Sequence, residues 1–231
     1  MQAVVLAGGL GTRLRPVTYE IPKPLVPVKK KPILNHLMEF LTSTGVDEII
    51  LIINTADTKD YERWLKTWDD QPWINKIKLA PEKERLGTFG ALHSVKHLLK
   101  EGTFLMSNGD SLMQFDIQKL LKTHKESGAT ITTTLLKTQD PLEYGLAILD
   151  GSYIVRFTKD PKEEASEYIS AGFYAVSTEI LSMLKEGEQS LEKEIMPELA
   201  LNKKYAGAIM EESRFYECGT LPRWEQAIKE W

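Results

Sequence analysis

The chain has 231 residues, of which 42% are hydrophobic and 27% charged, and its formal net charge is −4. This composition is that of an ordinary globular protein, and the length favours one α/β domain with insertions over residues 1–231. The mild acidity offers no general attraction for nucleic acid or anionic membrane, so we expect neither as a partner.

The first part of the sequence alternates apolar strands with helices. Residues 2–7 form an apolar run that ends at Gly8-Gly9, which is typical of a buried parallel strand. Pro32 and Gly45 suit the start and the C-terminal cap of a helix. Further strands are predicted near 48–53, 76–80, 103–107 and 129–136, and further helices near 57–69, 88–99 and 116–126. This order predicts a Rossmann-like, mostly parallel, twisted sheet with helices on both faces.

After residue 140 the predicted elements become shorter. Strands are expected near 144–149, 153–157 and 169–176, helices near 178–186 and 190–201, and a last strand and helix through 214–229. We interpret this part as a small antiparallel addition to the same domain.

A glycine-rich loop, Gly8-Gly9-Leu10-Gly11-Thr12-Arg13, directly follows the first strand. Glycines let backbone N–H groups approach a polyphosphate, and an arginine adds a forked donor. The glycines alone are more typical of a plain strand-to-helix turn, but Arg13 shifts the interpretation towards phosphate binding. A P-loop is excluded because Thr12-Arg13 follows Gly11, and Leu14 and Asn54 disfavour a dinucleotide fingerprint.

The segment Ile21-Pro22-Lys23-Pro24-Leu25-Val26-Pro27 holds a lysine between prolines. Proline fixes its own backbone and restricts the residue before it, so the segment is stiff and can aim one ammonium group at an oxyanion. Such a stretch in isolation is more often a surface connector. Its position shortly after the glycine loop favours a functional role for Lys23.

Residues 8–28, GGLGTRLRPVTYEIPKPLVPV, resemble the signature of the sugar-1-phosphate nucleotidylyltransferases. These enzymes join a nucleoside triphosphate (NTP) and a sugar 1-phosphate into an NDP-sugar and release pyrophosphate. The resemblance implies that Arg13 binds the departing β- and γ-phosphates and Lys23 the α-phosphate. It also implies an NTP-binding role for the strand end and loop, namely Leu6, Ala7, Gly8, Gly9, Gly11 and Thr12.

Two further segments resemble the family's nucleobase and metal sites. Glu82 and the Leu86–Ala91 segment, with Gly87 and Thr88, resemble the part that faces the base, although a glycine-capped helix start also explains Gly87. Asp110 follows an apolar strand and a helix comes after it, which argues against a hairpin at Asn-Gly. The resemblance implies that Asp110 is a Mg²⁺ ligand. Glu217 stands where the family has a second metal-binding Asp, and its longer side chain is still an oxygen ligand acceptable to Mg²⁺.

The sugar side of the resemblance rests on weaker segments. Tyr144-Gly145, Gly172 and Glu192 resemble groups that face sugar hydroxyls. For each alone, a turn glycine, a core aromatic or a helix-start acid is the better explanation, and only their order along the chain supports a sugar site. The family usually reads Phe-x-Glu-Lys-Pro where this chain reads Phe157-Thr158-Lys159-Asp160-Pro161. In a regular strand this reversal sends each side chain to the opposite face. We expect Lys159 to contact the sugar phosphate still, through a bulge or its long stem.

The resemblance as a whole predicts a nucleotidylyltransferase that uses Mg²⁺, with an NTP and a sugar 1-phosphate as its partners. The LGTFGA segment and the chain length favour guanylyl transfer to a mannose- or heptose-type phosphate. A phosphocholine-type cytidylyltransferase and a catalytically silent NDP-sugar sensor stay open as alternatives, as does a homo-oligomer. Because Cys218 is the only cysteine and no signal peptide or membrane span is evident, we expect the cytoplasm.

Overall fold

The computed structural model describes residues 1–138, 145–160 and 166–231. These residues divide into two compact units. The first comprises Met1–Arg85, Ser107–Gln114 and Arg214–Trp231, and the second Leu86–Met106 and Phe115–Ser213. The expected single domain over the whole chain stays a prediction.

The described residues contain both strands and short helices. The strands are β1 Gln2–Leu6, β2 Pro27–Val28, β3 Lys31–Pro32, β4 Glu48–Asn54, β5 Ile77–Glu82, β6 Thr103–Asn108, β7 Ser111–Phe115, β8 Ile131–Lys137, β9 Leu146–Asp150, β10 Tyr153–Thr158, β11 Tyr168–Ser177, β12 Tyr205–Met210 and β13 Ser213–Glu217. The α-helices are α1 Ile33–Ser43, α2 Thr58–Thr67, α3 Gly87–Gly90, α4 Leu92–Val95, α5 Ile117–Ser127, α6 Met196–Leu201 and α7 Leu221–Glu230. None of the helices in these ranges is long and apolar enough to cross a membrane.

The first unit contains three parallel strands in the order β5, β4, β1. The apolar residues of β4, and those of β1 up to Val5, are buried. Leu6 pairs with Ile52, and Asn54 pairs with Glu82. The carboxyl ends of β1, β4 and β5 therefore lie at one edge, which is where open α/β sheets bind ligands. This arrangement confirms the parallel strands predicted for this part of the sequence.

The second unit contains a mixed sheet. Strand β8 pairs in parallel with β12 and antiparallel with β11, and β10 pairs antiparallel with both β9 and β12. The α/β class is confirmed, but the strands of this unit do not form a mostly parallel sheet. A run rich in β-branched residues and leucine, such as Ile131–Lys137, predicts a strand but does not specify the direction of the neighbouring strands.

The helix expected near 88–99 is broken into α3, α4 and a 3-10 turn at Lys96–Leu98. In its first turn, the amides of Phe89 and Gly90 donate to the Gln189 carbonyl at 3.0 and 3.2 Å. These N–H groups, which have no acceptor inside a helix, are thus satisfied from outside it. The short pairs β2–β3 and β7–β13, and strand β12, were not predicted from the sequence.

Candidate active site

The glycine loop begins where the three parallel strands of the first unit end. Ala7 continues β1, with its amide donating to the Ile52 carbonyl at 2.8 Å and its carbonyl accepting from the Tyr61 hydroxyl at 3.0 Å. A Cβ added at Gly8 would lie 3.1 Å from Glu82 Oε1. Only a residue without a side chain thus fits comfortably between the loop and the end of β5, as a loop that wraps a ligand requires.

Gly11 turns the loop into the 3-10 helix Thr12–Leu14. Its φ of 57° is left-handed, and a Cβ there would lie 2.9 Å from Thr18 Cγ2 and 3.0 Å from Lys23 Cβ. The Thr18 hydroxyl donates to the Gly11 carbonyl at 2.8 Å. The loop is therefore packed directly against the segment that carries the lysine.

Lys23 and Asp110 form an ion pair, with Nζ 2.5 Å from Oδ2. The Lys23 side chain is only 7% exposed, whereas that of Asp110 is 34% exposed. Asp110 lies in the turn between β6 and β7, and β7 pairs with β13, so the Asn-Gly dipeptide does not form a hairpin of β6 with β7. The Gly109 amide donates to the Leu6 carbonyl at 2.9 Å, which fixes this turn beside the end of β1.

Arg13 and Glu217 form a second ion pair at 3.0 Å between Nη2 and Oε1. The other carboxylate oxygen, Oε2, contacts Nη1 of Arg223 in the first turn of α7. Glu217 is the last residue of β13, so the carboxylate lies between two arginines from different elements. Sequence reasoning missed Arg223, because this residue lies outside the segments that resemble the family.

The two ion pairs lie near each other. Burial raises the pKa of the Cys218 thiol to about 12, and the charges of Lys23, which lowers it, and Asp110, which raises it, also act on this group. Cys218 directly follows Glu217 in the chain. The described residues hold no group of three or more His, Cys, Asp or Glu side chains that could bind a metal ion. Two carboxylates are nevertheless enough for Mg²⁺ when substrate phosphates and water complete its shell.

Glu82 has an unusual environment at the end of β5. Its Oε2 atom is buried and has no hydrogen-bond partner among the described residues. Burial raises the pKa of this carboxyl, and Arg85 acts in the opposite direction. A buried acceptor without a donor is costly for the protein alone, so this oxygen is a candidate for ligand contact.

In the second unit Gly87 meets the backbone of Gln189. The φ of Gly87 is 75°, and a Cβ there would lie 2.4 Å from the Gln189 carbonyl oxygen. The Gln189 amide donates to the Leu86 carbonyl at 2.8 Å. The close approach therefore requires glycine at this position, and Gln189 is a second supporting residue that the motifs did not indicate.

Thr88 and Glu192 were predicted for different substrates, and the structure brings them together. The Thr88 hydroxyl donates to Glu192 Oε2 at 2.7 Å and accepts from the Leu191 amide at 2.9 Å. Ser190 Oγ also donates to Glu192 Oε2, at 3.2 Å. The carboxylate is thus oriented by two hydroxyl groups rather than by a cation.

The remaining sugar-side residues differ in how special their surroundings are. Gly172 has a φ of 67° and lies in the irregular stretch of β11 between Ser170 and Tyr174, where its amide donates to Ser170 Oγ at 3.3 Å. A Cβ at Gly145 would meet Phe157 Cβ at 3.5 Å, an ordinary contact. Tyr144 lies outside the described residues.

Lys159 does not lie in a strand. Strand β10 ends at Thr158, whose hydroxyl accepts from the Asp160 amide at 3.0 Å, so Lys159 is an exposed residue of the turn that follows. A register irregularity does occur in β10, but between Ile154 and Arg156, before Phe157. The alternation of faces assumed for Lys159 and Asp160 is therefore wrong.

A glycine loop at the ends of parallel strands, with cations and carboxylates nearby, is an arrangement suited to a phosphorylated ligand. A family model described as "Nucleotidyl transferase" matches residues 2–230. The chain belongs to this family, which confirms the family predicted from the signature.

Named relatives and solved structures agree with this assignment. The chain is 37% identical to a mannose-1-phosphate guanylyltransferase catalytic subunit beta of Danio rerio over 87% of its own length and 56% of the relative's. It is 33% identical to a probable mannose-1-phosphate guanylyltransferase 2 of Oryza sativa subsp. japonica over 91% of its length and 59% of the relative's. The chain thus spans little more than half the length of these relatives.

Two solved structures share the fold across 99% of the chain. HddC from Yersinia pseudotuberculosis, complexed with GMP-PN, has a TM-score of 0.82 and 26% identity, with 98% of that chain covered. A putative glucose-1-phosphate thymidylyltransferase from Bacillus anthracis, in complex with a sucrose, has a TM-score of 0.84 and 22% identity, with 94% of that chain covered. Both are α/β proteins of the kind described here.

Proposed function

We propose that the chain transfers a guanylyl group from GTP to a sugar 1-phosphate of the mannose or heptose type and releases pyrophosphate. The observation that carries this proposal is the cluster below the glycine loop, where Lys23 pairs with Asp110 and Arg13 with Glu217. The similarity to mannose-1-phosphate guanylyltransferases supports both the nucleotide and the sugar phosphate, and the GMP-PN complex of HddC supports the nucleotide.

The reaction needs alignment and charge neutralisation more than acid–base chemistry. A phosphate oxygen of the sugar 1-phosphate is already anionic at neutral pH, and it attacks the α-phosphorus of the NTP in line. A new bond forms between that oxygen and the α-phosphorus as the bond to the β-phosphate oxygen breaks, and pyrophosphate leaves with the electron pair. Lys23 neutralises the α-phosphate and Arg13 the departing β- and γ-phosphates.

Asp110 and Glu217 are the residues that would hold Mg²⁺. Both are hard oxygen donors, and each lies beside a cation that polyphosphate would attract away from it. When bound, the ion supplies charge for the polyphosphate that the arginine and lysine alone do not provide. One or two protein carboxylates are usual for Mg²⁺ sites that substrate phosphates and water complete.

Glu82 supports guanine as the base. Its buried Oε2 accepts no hydrogen bond among the described residues, and a Cβ at Gly8 would lie 3.1 Å from its Oε1, so the carboxylate is beside the loop. The pairing edge of guanine carries adjacent N1–H and N2–H donors, which match two carboxylate oxygens. Uracil and thymine flank one N–H with carbonyl oxygens, which a carboxylate repels.

The second unit supplies the groups proposed for the sugar. Glu192, oriented by Thr88 and Ser190, is a hydroxyl acceptor, and Gly145 and Gly172 are the glycines proposed to face the sugar. Lys159 is exposed just after the end of β10, and its flexible stem is the group proposed to contact the sugar phosphate. A cytoplasmic location and a homo-oligomer stay predictions.

A pyrophosphate-release assay tests this function. GTP, ATP, CTP, UTP and dTTP are each supplied with mannose, glucose and heptose 1-phosphates or with phosphocholine, in the presence of Mg²⁺. We expect turnover with GTP and a sugar 1-phosphate. Turnover with CTP and phosphocholine alone would establish the cytidylyltransferase alternative, and binding of NDP-sugars without any turnover would establish the silent sensor.

A single substitution tests the role of Glu82. Glu82→Gln replaces one acceptor by a donor, so kcat/KM for GTP should fall by about 10- to 100-fold, the value of one good bidentate base contact. UTP should be used relatively better, because a glutamine amide matches its alternating donor and acceptors. Glu84→Gln, an exposed glutamate two residues away, is the control and should leave the NTP preference unchanged.

A further inference from the structure

The carboxylate of Glu217 is shared between two arginines. Oε1 accepts from Arg13 Nη2 at 3.0 Å, and Oε2 contacts Arg223 Nη1. Arg13 lies in the 3-10 helix that follows the glycine loop, and Arg223 in the first turn of α7. A carboxylate that uses both oxygens in this way can fix the position of one arginine with the help of the other.

The two arginines differ in how firmly their surroundings hold them. The Arg13 side chain is 66% exposed, whereas Arg223 is 17% and Glu217 18% exposed. A long exposed side chain populates many rotamers and loses that freedom when it binds a ligand. The largely buried side chains of Arg223 and Glu217 are held by their surroundings, whereas the exposed Arg13 side chain depends on Glu217 for its position.

Space for the carboxylate comes from Gly219. A Cβ there would lie 2.1 Å from Glu217 Oε1 and 3.1 Å from Arg13 Nη2. The glycine therefore leaves room for the contact between the carboxylate and the arginine. Glutamate, one methylene longer than aspartate, brings its carboxylate further from β13 and into reach of both arginines.

We propose that Arg223 is a positioning residue for nucleotide binding. It holds Glu217 by Oε2, so that Oε1 keeps the Arg13 guanidinium in one place before the polyphosphate arrives. This inference rests on the proposed function in one respect, namely that Arg13 binds the β- and γ-phosphates. Arg223 itself acts through Glu217 and Arg13, without contact with the ligand.

Binding measurements on the full chain test this role separately from catalysis. Calorimetric titrations with GTP, GMP and inorganic tripolyphosphate at fixed excess Mg²⁺ compare wild type with Arg223→Gln. Loss of a pre-ordered long side chain predicts affinity for GTP and tripolyphosphate about two- to tenfold weaker. GMP lacks the β- and γ-phosphates, so its affinity should stay within about twofold of wild type.

Two more variants separate positioning from charge. Arg223→Lys keeps the charge without the forked donor and should restore only part of the affinity. In a double-mutant cycle, Arg223→Gln should add nothing to Arg13→Gln, because the second change removes the group that the first one orients. Arg214→Gln, on β13 with its guanidinium 4.6 Å from the Trp231 ring centroid, is the control and should bind tripolyphosphate like wild type.

Any one of four results would overturn the inference. These are unchanged affinity of Arg223→Gln for tripolyphosphate, an equal loss of affinity for GMP, full restoration of affinity in Arg223→Lys, or additivity of Arg223→Gln with Arg13→Gln. If thermal denaturation shows that Arg223→Gln is not folded, the same binding measurements are made on Arg223→Lys. A wild-type chain that binds tripolyphosphate but not GTP would sink guanylyl transfer and leave Arg223 testable, whereas failure to bind tripolyphosphate would overturn the role of Arg223 as well.

Discussion

The two compact units hold their candidate site residues by different forces. In the first, Lys23 and Arg13 are each bonded to a carboxylate, at 2.5 and 3.0 Å. In the second, Glu192 is oriented by the hydroxyls of Thr88 and Ser190, and Gly87 packs against a backbone carbonyl. Charge organises one set of residues, and hydroxyl groups and steric fit organise the other.

This difference suits the chemistry proposed for each unit. A polyphosphate carries several negative charges, so cations are suited to binding it. When the ligand is absent, a carboxylate partner balances the charge of each cation and holds it in position. A sugar offers hydroxyl groups, which are read by directional hydrogen bonds at modest cost in charge. Substitutions in the first unit should therefore act mainly on rate through charge, and those in the second on shape and stability.

The largest effect is expected from Asp110→Asn. This change removes a predicted metal ligand and leaves the 7% exposed ammonium of Lys23 without its partner carboxylate. We expect kcat to fall by roughly 10²- to 10³-fold or more, the range seen when one preorganised electrostatic group is lost. The melting temperature should also fall, because Lys23 loses its counter-ion.

The matched control for this prediction is Asp47→Asn, a 70% exposed carboxylate that pairs with the N-terminal ammonium in the same unit. Its kcat should equal that of wild type. Full turnover of Asp110→Asn, or full turnover of wild type in excess chelator, would contradict the assigned metal role and with it the charge-based side of the comparison.

Gly87→Ala tests the steric side. The new Cβ would lie 2.4 Å from a backbone oxygen in a residue whose φ is 75°, so the α3 turn must move away from Gln189. Gly128→Ala is the control in the same unit, since φ is 60° there and a Cβ would meet nothing within 4 Å. The control should cost about 1–2 kcal/mol in unfolding free energy, from backbone strain alone.

Gly87→Ala should cost more than this control, because the clash is added to the same strain. Urea unfolding of both variants measures the difference directly. If the two variants lose equal free energy of unfolding, the clash with Gln189 is easily relieved, and steric fit at Gly87 does not contribute to the stability of the second unit. The KM for the sugar phosphate should rise only in Gly87→Ala, because the next residue, Thr88, orients the proposed sugar-binding carboxylate of Glu192.

Much of the fold was predictable because local patterns are strong in this chain. The buried strand Glu48–Asn54 and the helix Ile33–Ser43, between Pro32 and Gly45, agree with the sequence prediction to within two residues. The antiparallel pairing of β9 with β10 agrees with the antiparallel addition expected after residue 140. The antiparallel pairing of β8 with β11 was not predicted, because the pattern of a strand does not specify the direction of its neighbours. The acceptor for the first amides of α3 was not predictable either, because the Gln189 carbonyl lies far from Phe89 and Gly90 along the chain.

The site shows the same division. The short motifs indicated Arg13, Lys23 and Asp110 as candidate site residues, but they did not indicate how these side chains pair. Arg13 and its partner Glu217 are separated by 204 positions, and Lys23 and its partner Asp110 by 87. Arg223 has no motif of its own and became visible only through its contact with Glu217. Pairing of side chains across such separations follows from the fold rather than from spacing.

The smallest expected effects concern two histidines, the buried His124 of the second unit and the half-buried His36 of the first. Burial is the largest cause that lowers the pKa of His124 in the second unit and of His36 in the first. His124 contacts the hydroxyls of Thr132 and Ser177 at 2.9 and 3.0 Å, and hydroxyls can accept as well as donate. His36 Nδ1 accepts from the Trp231 indole N–H at 3.2 Å, and an indole can only donate.

Protonation of His36 must therefore break a hydrogen bond, whereas the partners of His124 can reverse theirs. A histidine whose folded pKa is lowered binds fewer protons in the folded than in the unfolded state, so the free energy of unfolding falls as the pH drops below about 6.5. Each histidine contributes at most about 1.4 kcal/mol per pH unit. Urea unfolding between neutral pH and mild acid should show a shallower acid loss in His36→Gln and, to a lesser extent, in His124→Gln, while exposed His97→Gln keeps the wild-type slope. An equal slope in all three variants would show that neither the His36 nor the His124 ring titrates in this range and that the acid response arises elsewhere.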